Sequence, residues 1–427
     1  MLARTFLEAK IRALAARARR LARIDAEGVG IRPQDRPYAP SPAHLRAANQ
    51  RLALIDQQIN RRLGRLQSTW RTTPLSRVLI DIALVEREID RARRAFGLFF
   101  EIFSQRGSMF APALAAHDVI AEDCYRAIRE SAPRIFRGPL LKPLCYMEHG
   151  FSPATMRRGV LLSRLLGEPN PFPIVRIPWD RDNPWQPVFL HEVAHNLQAD
   201  LGIWQENRQA VIRRLLRTTG DPGLTRIYGR WHKEIWADLA AILLGGPAAA
   251  WGMATFLAHP APRTLTYRPS AHPTAYFRIH ILAEMLRRLG FEEDALRLRR
   301  VWTELYNPRR FHRLPARLLM TSSRIIPEVV DETVFQTRRN LAQRAVADVI
   351  PFTAADERAI KSGAQALVRG IVPADLPLRH LVSAASYALA SGRVDPRSLA
   401  ERVIDHLNAS RALPRSERQN LPTAIAA

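Results

Sequence analysis

Cysteine is almost absent from this chain of 427 residues, which contains only Cys124 and Cys145. Two cysteines cannot build a disulfide framework, and neither belongs to a CxxC pair, so a thiolate metal site is not expected. Disulfides are rare in reducing compartments, where thiols stay reduced. The sequence therefore predicts a protein of a reducing compartment, and we expect it in the cytoplasm.

Long uninterrupted apolar runs are also missing. Residues 1–23 lack the continuous apolar stretch and the small-residue cleavage site of a secretory signal. The longest apolar run, residues 239–257, is interrupted by Gly245, Gly246 and Pro247, which makes it a poor membrane-spanning segment. We therefore expect neither a signal peptide nor a transmembrane helix.

Glycine and proline are too few for a collagen-like, mucin-like or disordered chain, with 20 and 31 residues against 47% hydrophobic residues. Lysine is scarce as well. Only four of the 64 basic residues are lysines, and the net charge is +24. This charge leaves a nucleic acid or an anionic membrane surface open as a partner. The arginines are scattered along the chain, however, and an arginine bias together with abundant alanine is also typical of a GC-rich genome.

The length predicts two or three domains, and composition divides the chain into four regions. They are a basic amphipathic helix with a proline-rich linker (1–43), an N-terminal helical region (44–145), a zincin-like metallopeptidase domain (146–290) and a C-terminal helical region (291–427). Within the first region, residues 28–43 form the linker. The apolar residues of the amphipathic helix fall near one face and are Leu2, Phe6, Leu7, Leu14 and Leu21. Such a helix either packs on its own protein, which we favour, or lies on an anionic membrane.

Apolar residues at spacings of three and four predict a mainly α (α+β) fold. The predicted helical segments are 44–104, 112–130, 184–198, 204–218, 228–245, 248–258, 274–289, 354–370 and a helix opened by Pro396. Asn183 and Pro184 are expected to start the helix that ends near Gln198. Prolines flank Ile174–Ile177, which predicts a short edge strand.

The most informative segment is the HExxH pattern formed by His191, Glu192 and His195. Residues four apart lie one turn apart on the same face of a helix, so both imidazoles can bind one Zn²⁺. Glu192 then lies beside the metal, where it can take a proton from a water. The pattern of a metzincin is absent, because Gln198 and Leu201 stand where that pattern has glycine and histidine.

A second predicted helix contains Glu234 and Asp238 one turn apart within apolar sequence. Carboxylates on a buried face are unfavourable unless they are paired or bound to a metal. We predict Glu234 as the third metal ligand and Asp238 as the acceptor for the other ring N–H of a ligating histidine. Farther along, His272 precedes Pro273 and a helix that carries Arg278. Either side chain is a candidate for stabilising an oxyanion.

In this order the three motifs, HExxH, ExxAD and HPxxxxRI, resemble those of gluzincin metallopeptidases of the HtpX and CAAX-prenyl-protease type. The resemblance covers about residues 170–285. It implies that His191, His195 and Glu234 are the zinc ligands, that Glu192 is the general base and that Asp238 orients a ligand. It also implies that His272 and Arg278 contact the substrate or transition state. Because those relatives are membrane-embedded or anchored, this chain is expected to be a soluble relative, and a prenylated substrate is not implied.

The expected function is therefore zinc-dependent hydrolysis of peptide bonds in a peptide or protein substrate, with Ile174–Ile177 as the edge along which an extended substrate could bind. Two alternatives stay open. One is a nucleic-acid- or partner-binding protein with a structural or vestigial zinc site, and the other is hydrolysis of a non-peptide amide. Neither a GxSxG motif nor a glycine-rich phosphate loop occurs. Six tryptophans near the motifs are expected in the core or along a pocket: Trp179, Trp185, Trp204, Trp231, Trp236 and Trp251.

Overall fold

The computed structural model describes residues 2–21, 23–136, 141–148, 171–178, 183–308 and 313–412. Of these residues, 73% are helical and 3% lie in strands, so the predicted mainly α class is confirmed. None of the described helices has both the length and the apolar character needed to cross a bilayer. Trp179 lies outside the described residues.

The helices are short to medium in length, and the two longest lie near the N-terminus. Their bounds are α1 (Leu2–Arg19), α2 (Pro42–Thr69), α3 (Leu75–Ser104), α4 (Ala111–Ser131), α5 (Val188–Asp200), α6 (Trp204–Thr219), α7 (Pro222–Gly245), α8 (Pro247–Leu257), α9 (Ala261–Thr264), α10 (Ala275–Arg288), α11 (Glu292–Leu305), α12 (Ala316–Val330), α13 (Val346–Val349), α14 (Ala354–Val368), α15 (Leu378–Ala390) and α16 (Pro396–Ala412).

The chain forms two compact units. The first comprises Met1–Ala115 and Leu140–Asp180, and the second comprises Ala116–Pro139 and Arg181–Ala427. Residues 140–180 thus belong to the first unit, although the sequence analysis placed the predicted strand Ile174–Ile177 in one region with the HExxH helix. This division follows packing within each unit, whereas the four regions inferred from composition remain a prediction.

In the first unit, α1 packs against α2 and α3 through one stripe of buried side chains. The stripe consists of Leu7, Ile11, Leu14 and Ala18. The expectation that this helix packs on its own protein is therefore confirmed. The predicted apolar face was wrong in part, because Leu2 and Phe6 are 90% and 65% exposed. Spacings of four and three from Leu7 define the buried face, and these two residues lie off it.

The segment predicted as a proline-rich linker is packed within the first unit. Pro33–Tyr38 forms a 3-10 turn, and Val29 and Ile31 are buried. The backbone oxygen of Gly30 comes so close to Gly107 that a Cβ there would lie 2.5 Å from it. The segment is therefore an ordered connection between α1 and α2.

Two parallel strands, β1 (Leu144–Glu148) and β2 (Ile174–Pro178), pair in the register Leu144↔Ile174. The predicted strand is thus present, but β1 was not predicted. Its first four residues are all buried, so they show no alternation of apolar and polar side chains.

The backbone of β1 that faces away from β2 is bonded by side chains. Gln105 donates to the Met147 carbonyl and accepts from the Met147 N–H, both at 2.7 Å. Arg106 donates to the Cys145 carbonyl at 2.6 Å. These side chains therefore supply the hydrogen bonds that a neighbouring strand would make.

In the second unit, α7 is buried along most of its length and packs against α5, α6, α8, α10 and α15. It begins at Pro222, six residues before the predicted start, because Asp221 caps it by accepting from the N–H groups of Gly223 and Leu224. The predicted start of α5 at Pro184 was wrong. Pro187 disfavours helical geometry at Gln186, and the helix begins at Val188.

A buried histidine on α15 predicts acid sensitivity of the second unit. His380 is 1% exposed and its ring lies 5.7 Å from that of Phe352, with neither ring nitrogen hydrogen-bonded within the described part of the chain. Burial lowers the pKa of His380 from 6.5 to about 3. As the pH falls below 6.5, the unfolded chain therefore binds a proton that the folded chain does not bind, and stability is lost.

At pH 5 this single group should cost about 2 kcal/mol of unfolding free energy relative to pH 8. Between pH 8 and pH 5, we expect the unfolding free energy of His380→Leu to fall by about 2 kcal/mol less than that of the wild type. Urea unfolding at both pH values measures this difference. Phe352→Leu is the matched control, because it changes the same contact without removing a titrating group. Equal acid sensitivity in His380→Leu and the wild type would contradict this prediction.

Candidate metal centre

Helix α5 brings the two histidines of the HExxH pattern together. His191 and His195 lie one turn apart, and their Nε2 atoms are 3.1 Å from each other. The opposite face of the helix is fully buried through Leu190, Val193 and Leu197. Apolar packing thus fixes the helix, and its spacing aims both imidazoles at one point.

Glu234 reaches the same point from α7. Its Oε1 lies 3.5 Å from His195 Nε2, and its Oε2 lies 3.6 Å from His191 Nε2. One candidate ligand atom from each of the three residues lies within 4.8 Å of the others. This cluster, formed by His191, His195 and Glu234, could hold a metal ion.

The spacing of these atoms fits a tetrahedral cation. Ligands at the usual Zn–N and Zn–O distances in a tetrahedron lie about 3.4 Å from each other. The two Nε2 atoms are 3.1 Å apart, and each of them lies 3.5 or 3.6 Å from a different oxygen of the Glu234 carboxylate. In addition, Glu234 Oε2 is buried and accepts no hydrogen bond from the described residues. A buried carboxylate oxygen is unfavourable without a hydrogen bond or a cation. The Arg278 guanidinium lies 3.7 Å from this oxygen, which leaves it without a direct hydrogen bond and able to act as a ligand.

Asp238 fixes the orientation of the first histidine. His191 Nδ1 lies 2.8 Å from Asp238 Oδ1, so the ring donates there and its Nε2 is directed toward the cluster. Burial lowers the pKa of His191, but the neighbouring carboxylates of Asp238 and Glu234 outweigh burial and raise it to about 9. The predicted partnership of Asp238 with a histidine of the cluster is present in the structure.

Arg278 lies behind the cluster on α10. Its guanidinium donates to both carboxylate oxygens of Asp238, with Nη2–Oδ1 at 2.8 Å, and it lies 3.7 Å from Glu234 Oε2. Burial raises the pKa of Asp238, but the charges of Arg278 and His191 outweigh burial and lower it. The side chain of Arg278 is only 5% exposed. It therefore contacts the carboxylates of the site from their buried side.

His272 lies on the more open side of the cluster. Its Nε2 is 3.7 Å from Glu234 Oε2, and its side chain is 29% exposed. Ser270 holds the turn before α10, because its hydroxyl donates to the His272 carbonyl at 2.9 Å. Burial is the main cause that lowers the pKa of His272, which favours a neutral ring.

The cluster is closed on one side and accessible on the other. His191 and Glu234 are almost fully buried, whereas the side chain of His195 is 22% exposed. Glu192, the residue after the first ligand, is half-buried. The exposed parts of His195 and His272 therefore mark the side from which a molecule could reach the cluster.

The tryptophans near the motifs have different surroundings. Trp231 and Trp236 are fully buried in the core beside the cluster, as expected. Trp204 and Trp251 are half-buried, and the ammonium of Lys233 lies over the ring of Trp204. The predicted substrate-binding strand belongs to the other compact unit, so its role stays a prediction.

The bidentate pairing of Arg278 with Asp238 was not predicted from the sequence, although each residue was singled out. The sequence did contain a signal for this pairing, because Arg278 stands between the apolar residues Phe277 and Ile279. An arginine in such a stripe needs a buried carboxylate as partner. From the sequence, Asp238 was assigned only the ring N–H of a histidine, so its carboxylate could also have been assigned to Arg278.

Comparisons with protein-family models, with curated proteins and with solved structures found no match for this chain. The resemblance to gluzincins thus depends on the three short motifs.

Proposed function

We propose that this protein is a zinc-dependent peptidase of the gluzincin type. The observation that supports this most strongly is the convergence of His191, His195 and Glu234, whose candidate ligand atoms lie within 4.8 Å of one another, with Glu192 directly after the first histidine on α5. Two imidazoles and one carboxylate are a ligand set found in catalytic zinc sites. The proposal thus combines a metal site, a base and an access route in one place.

Zinc is the metal that this donor set favours. Nitrogen from two histidines and oxygen from one glutamate suit a tetrahedral Zn²⁺, whereas Mg²⁺ and Ca²⁺ prefer ligand sets made of oxygen alone. When bound, the ion supplies Lewis acidity, which polarises a carbonyl and lowers the pKa of a water. Three protein ligands leave one position open, while structural zinc sites are closed by four.

Each remaining residue has a role in the hydrolysis of an amide. The carboxylate of Glu192 accepts a proton from the attacking water and returns it to the leaving amine nitrogen. Nε2 of His272 donates a hydrogen bond to the oxygen of the attacked carbonyl, where negative charge develops. Arg278 acts as a positioning residue, because it holds Asp238, and Asp238 in turn orients His191.

Two other functions would use the same residues differently. A nucleic-acid- or partner-binding protein with a vestigial zinc site has no use for a base at position 192, so an intact Glu192 favours the enzyme. Hydrolysis of a non-peptide amide needs the same groups, and only the substrate would distinguish it.

Metal analysis combined with digestion of a peptide library tests the proposal. We expect about one zinc per chain, cleavage of peptides, loss of cleavage with a chelator and recovery with added zinc. His195→Ala should lose both metal and cleavage, whereas the control His259→Ala, a histidine outside the cluster, should keep both. Cleavage that survives complete metal removal, or equal zinc content in His195→Ala and the wild type, would refute the proposal.

A further inference from the structure

One end of the first unit exposes several large apolar side chains. They come from the start of α1 and the start of α3, and we refer to them as the apolar tip: Leu2, Phe6, Leu75, Leu79 and Ile80. Their exposed fractions are 90%, 65%, 39%, 50% and 51%. Clusters of exposed apolar side chains of this kind mark interaction surfaces on soluble proteins.

Contacts between the helices place these residues at the same end. The guanidinium of Arg4 donates to the carbonyls of Trp70 and Arg71, at 3.3 and 2.5 Å, in the turn between α2 and α3. Farther along α1, Lys10 pairs with Glu86 of α3 at 3.0 Å. Helix α1 therefore runs beside the first half of α3, and the exposed residues of both helices share one end of the unit.

The segments that carry the apolar tip are rich in basic residues. Segments 2–12 and 65–81 together contain six basic and two acidic residues. Glu8 is paired with both Arg12 and Arg71, at 3.6 and 3.9 Å, and Asp81 is paired with Arg77 at 3.5 Å. Counting Glu86, the partner of Lys10, six basic residues still outnumber three acidic ones. The side chains of Arg71 and Arg77 are 75% and 64% exposed. This end of the unit therefore carries net positive charge around an exposed apolar centre.

We propose that the apolar tip binds the surface of an anionic membrane. Leucine, isoleucine and phenylalanine side chains enter the boundary between headgroups and acyl chains, while surrounding arginines contact the anionic headgroups. Helix α1 stays packed on α2 and α3 when the tip binds the membrane, because the side chains that hold it there, from Leu7 onward, are not part of the tip. The site is thus a preformed end of a helical unit rather than a helix that folds on the membrane.

Two other partners, a nucleic acid and a second copy of this chain, fit the apolar tip less well than an anionic bilayer does. A nucleic acid would use the arginines, but it offers no apolar phase for the five exposed side chains. A second copy of the chain would bring two positively charged ends together, which is unfavourable. An anionic lipid surface satisfies both the apolar and the basic part.

Cosedimentation of the full chain with vesicles tests this proposal. We expect binding to phosphatidylcholine vesicles that contain phosphatidylglycerol, weaker binding to phosphatidylcholine alone, and weaker binding at high salt. The combined variant Leu2→Ser, Phe6→Ser, Leu79→Ser and Ile80→Ser should bind at least about tenfold more weakly. These positions are exposed, so circular dichroism should show an unchanged fold.

The matched control replaces exposed apolar residues of the second unit, Leu296→Ser, Leu305→Ser and Met320→Ser, and should bind as the wild type does. The proposal fails if the wild type does not bind anionic vesicles, or if the variant and the wild type bind equally. If the wild type does not bind vesicles but self-associates or is retained on DNA, and the tip variant loses that binding, then the tip binds one of the other two partners. Peptidase activity plays no part in the readout, so this proposal and the proposed function fail independently.

Discussion

Glu192→Gln should lower kcat/KM for peptide hydrolysis by about 10²- to 10⁴-fold, because the amide cannot accept the proton of the attacking water. The substitution keeps the size of the side chain and leaves the cluster of His191, His195 and Glu234 intact. The zinc content should therefore equal that of the wild type. The measurement is initial rate on a peptide substrate together with metal analysis of the same sample.

Glu304→Gln is the matched control, since it makes the same chemical change at an exposed position of α11. It should leave both rate and zinc content unchanged. A zinc-loaded Glu192→Gln protein that cleaves at the rate of the wild type would show that another group is the base. Loss of zinc together with loss of rate would show that Glu192 supports the metal rather than the proton transfer.

Asp238→Ala should lower the free energy of unfolding by about 3–5 kcal/mol, because it removes one partner of a buried ion pair and leaves the other uncompensated. Asp238 and Arg278 are almost fully buried and make two hydrogen bonds to each other. His191 also loses the acceptor for its Nδ1. Urea unfolding in the presence of a chelator measures this cost without the contribution of a metal.

Two further variants separate the buried pair from a general effect of removing an aspartate. Asp81→Ala breaks the exposed pair with Arg77 and should cost less than about 1 kcal/mol. The double variant Asp238→Ala with Arg278→Met removes both buried charges and should recover much of the lost stability. Equal losses for Asp81→Ala and Asp238→Ala would contradict the importance assigned to the buried pair.

The helical part of the fold could be predicted because its signals are local. Apolar residues at spacings of three and four gave the positions of α4, α6, α8 and α10 to within about two residues. The predicted helical segment 354–370 is present as α14, and Thr353 and Asp356 form a capping box at its start. Local signals failed where they competed with each other. Asn183 and Pro184 look like a helix start, but Pro187 delays α5 to Val188.

The meeting of the three ligands was predictable for a chemical reason. Two histidines four apart fix one face of α5, and a carboxylate in an apolar helix needs a cation, so Glu234 was a natural third partner. The side from which Arg278 approaches was not predictable. It depends on how α10 packs against α7, and sequence spacing contains no information on that packing.

The hydrogen bonds from Gln105 and Arg106 to β1 have a consequence for self-association. A strand at the border of a sheet normally presents a row of unsatisfied amide and carbonyl groups, which can template pairing with the strand of another molecule. On β1 the outward carbonyls of Cys145 and Met147 and the Met147 N–H are already bonded within the chain. This border is therefore protected from intermolecular β-pairing by two side chains from the end of α3 and the turn that follows it, without the cost of a third strand.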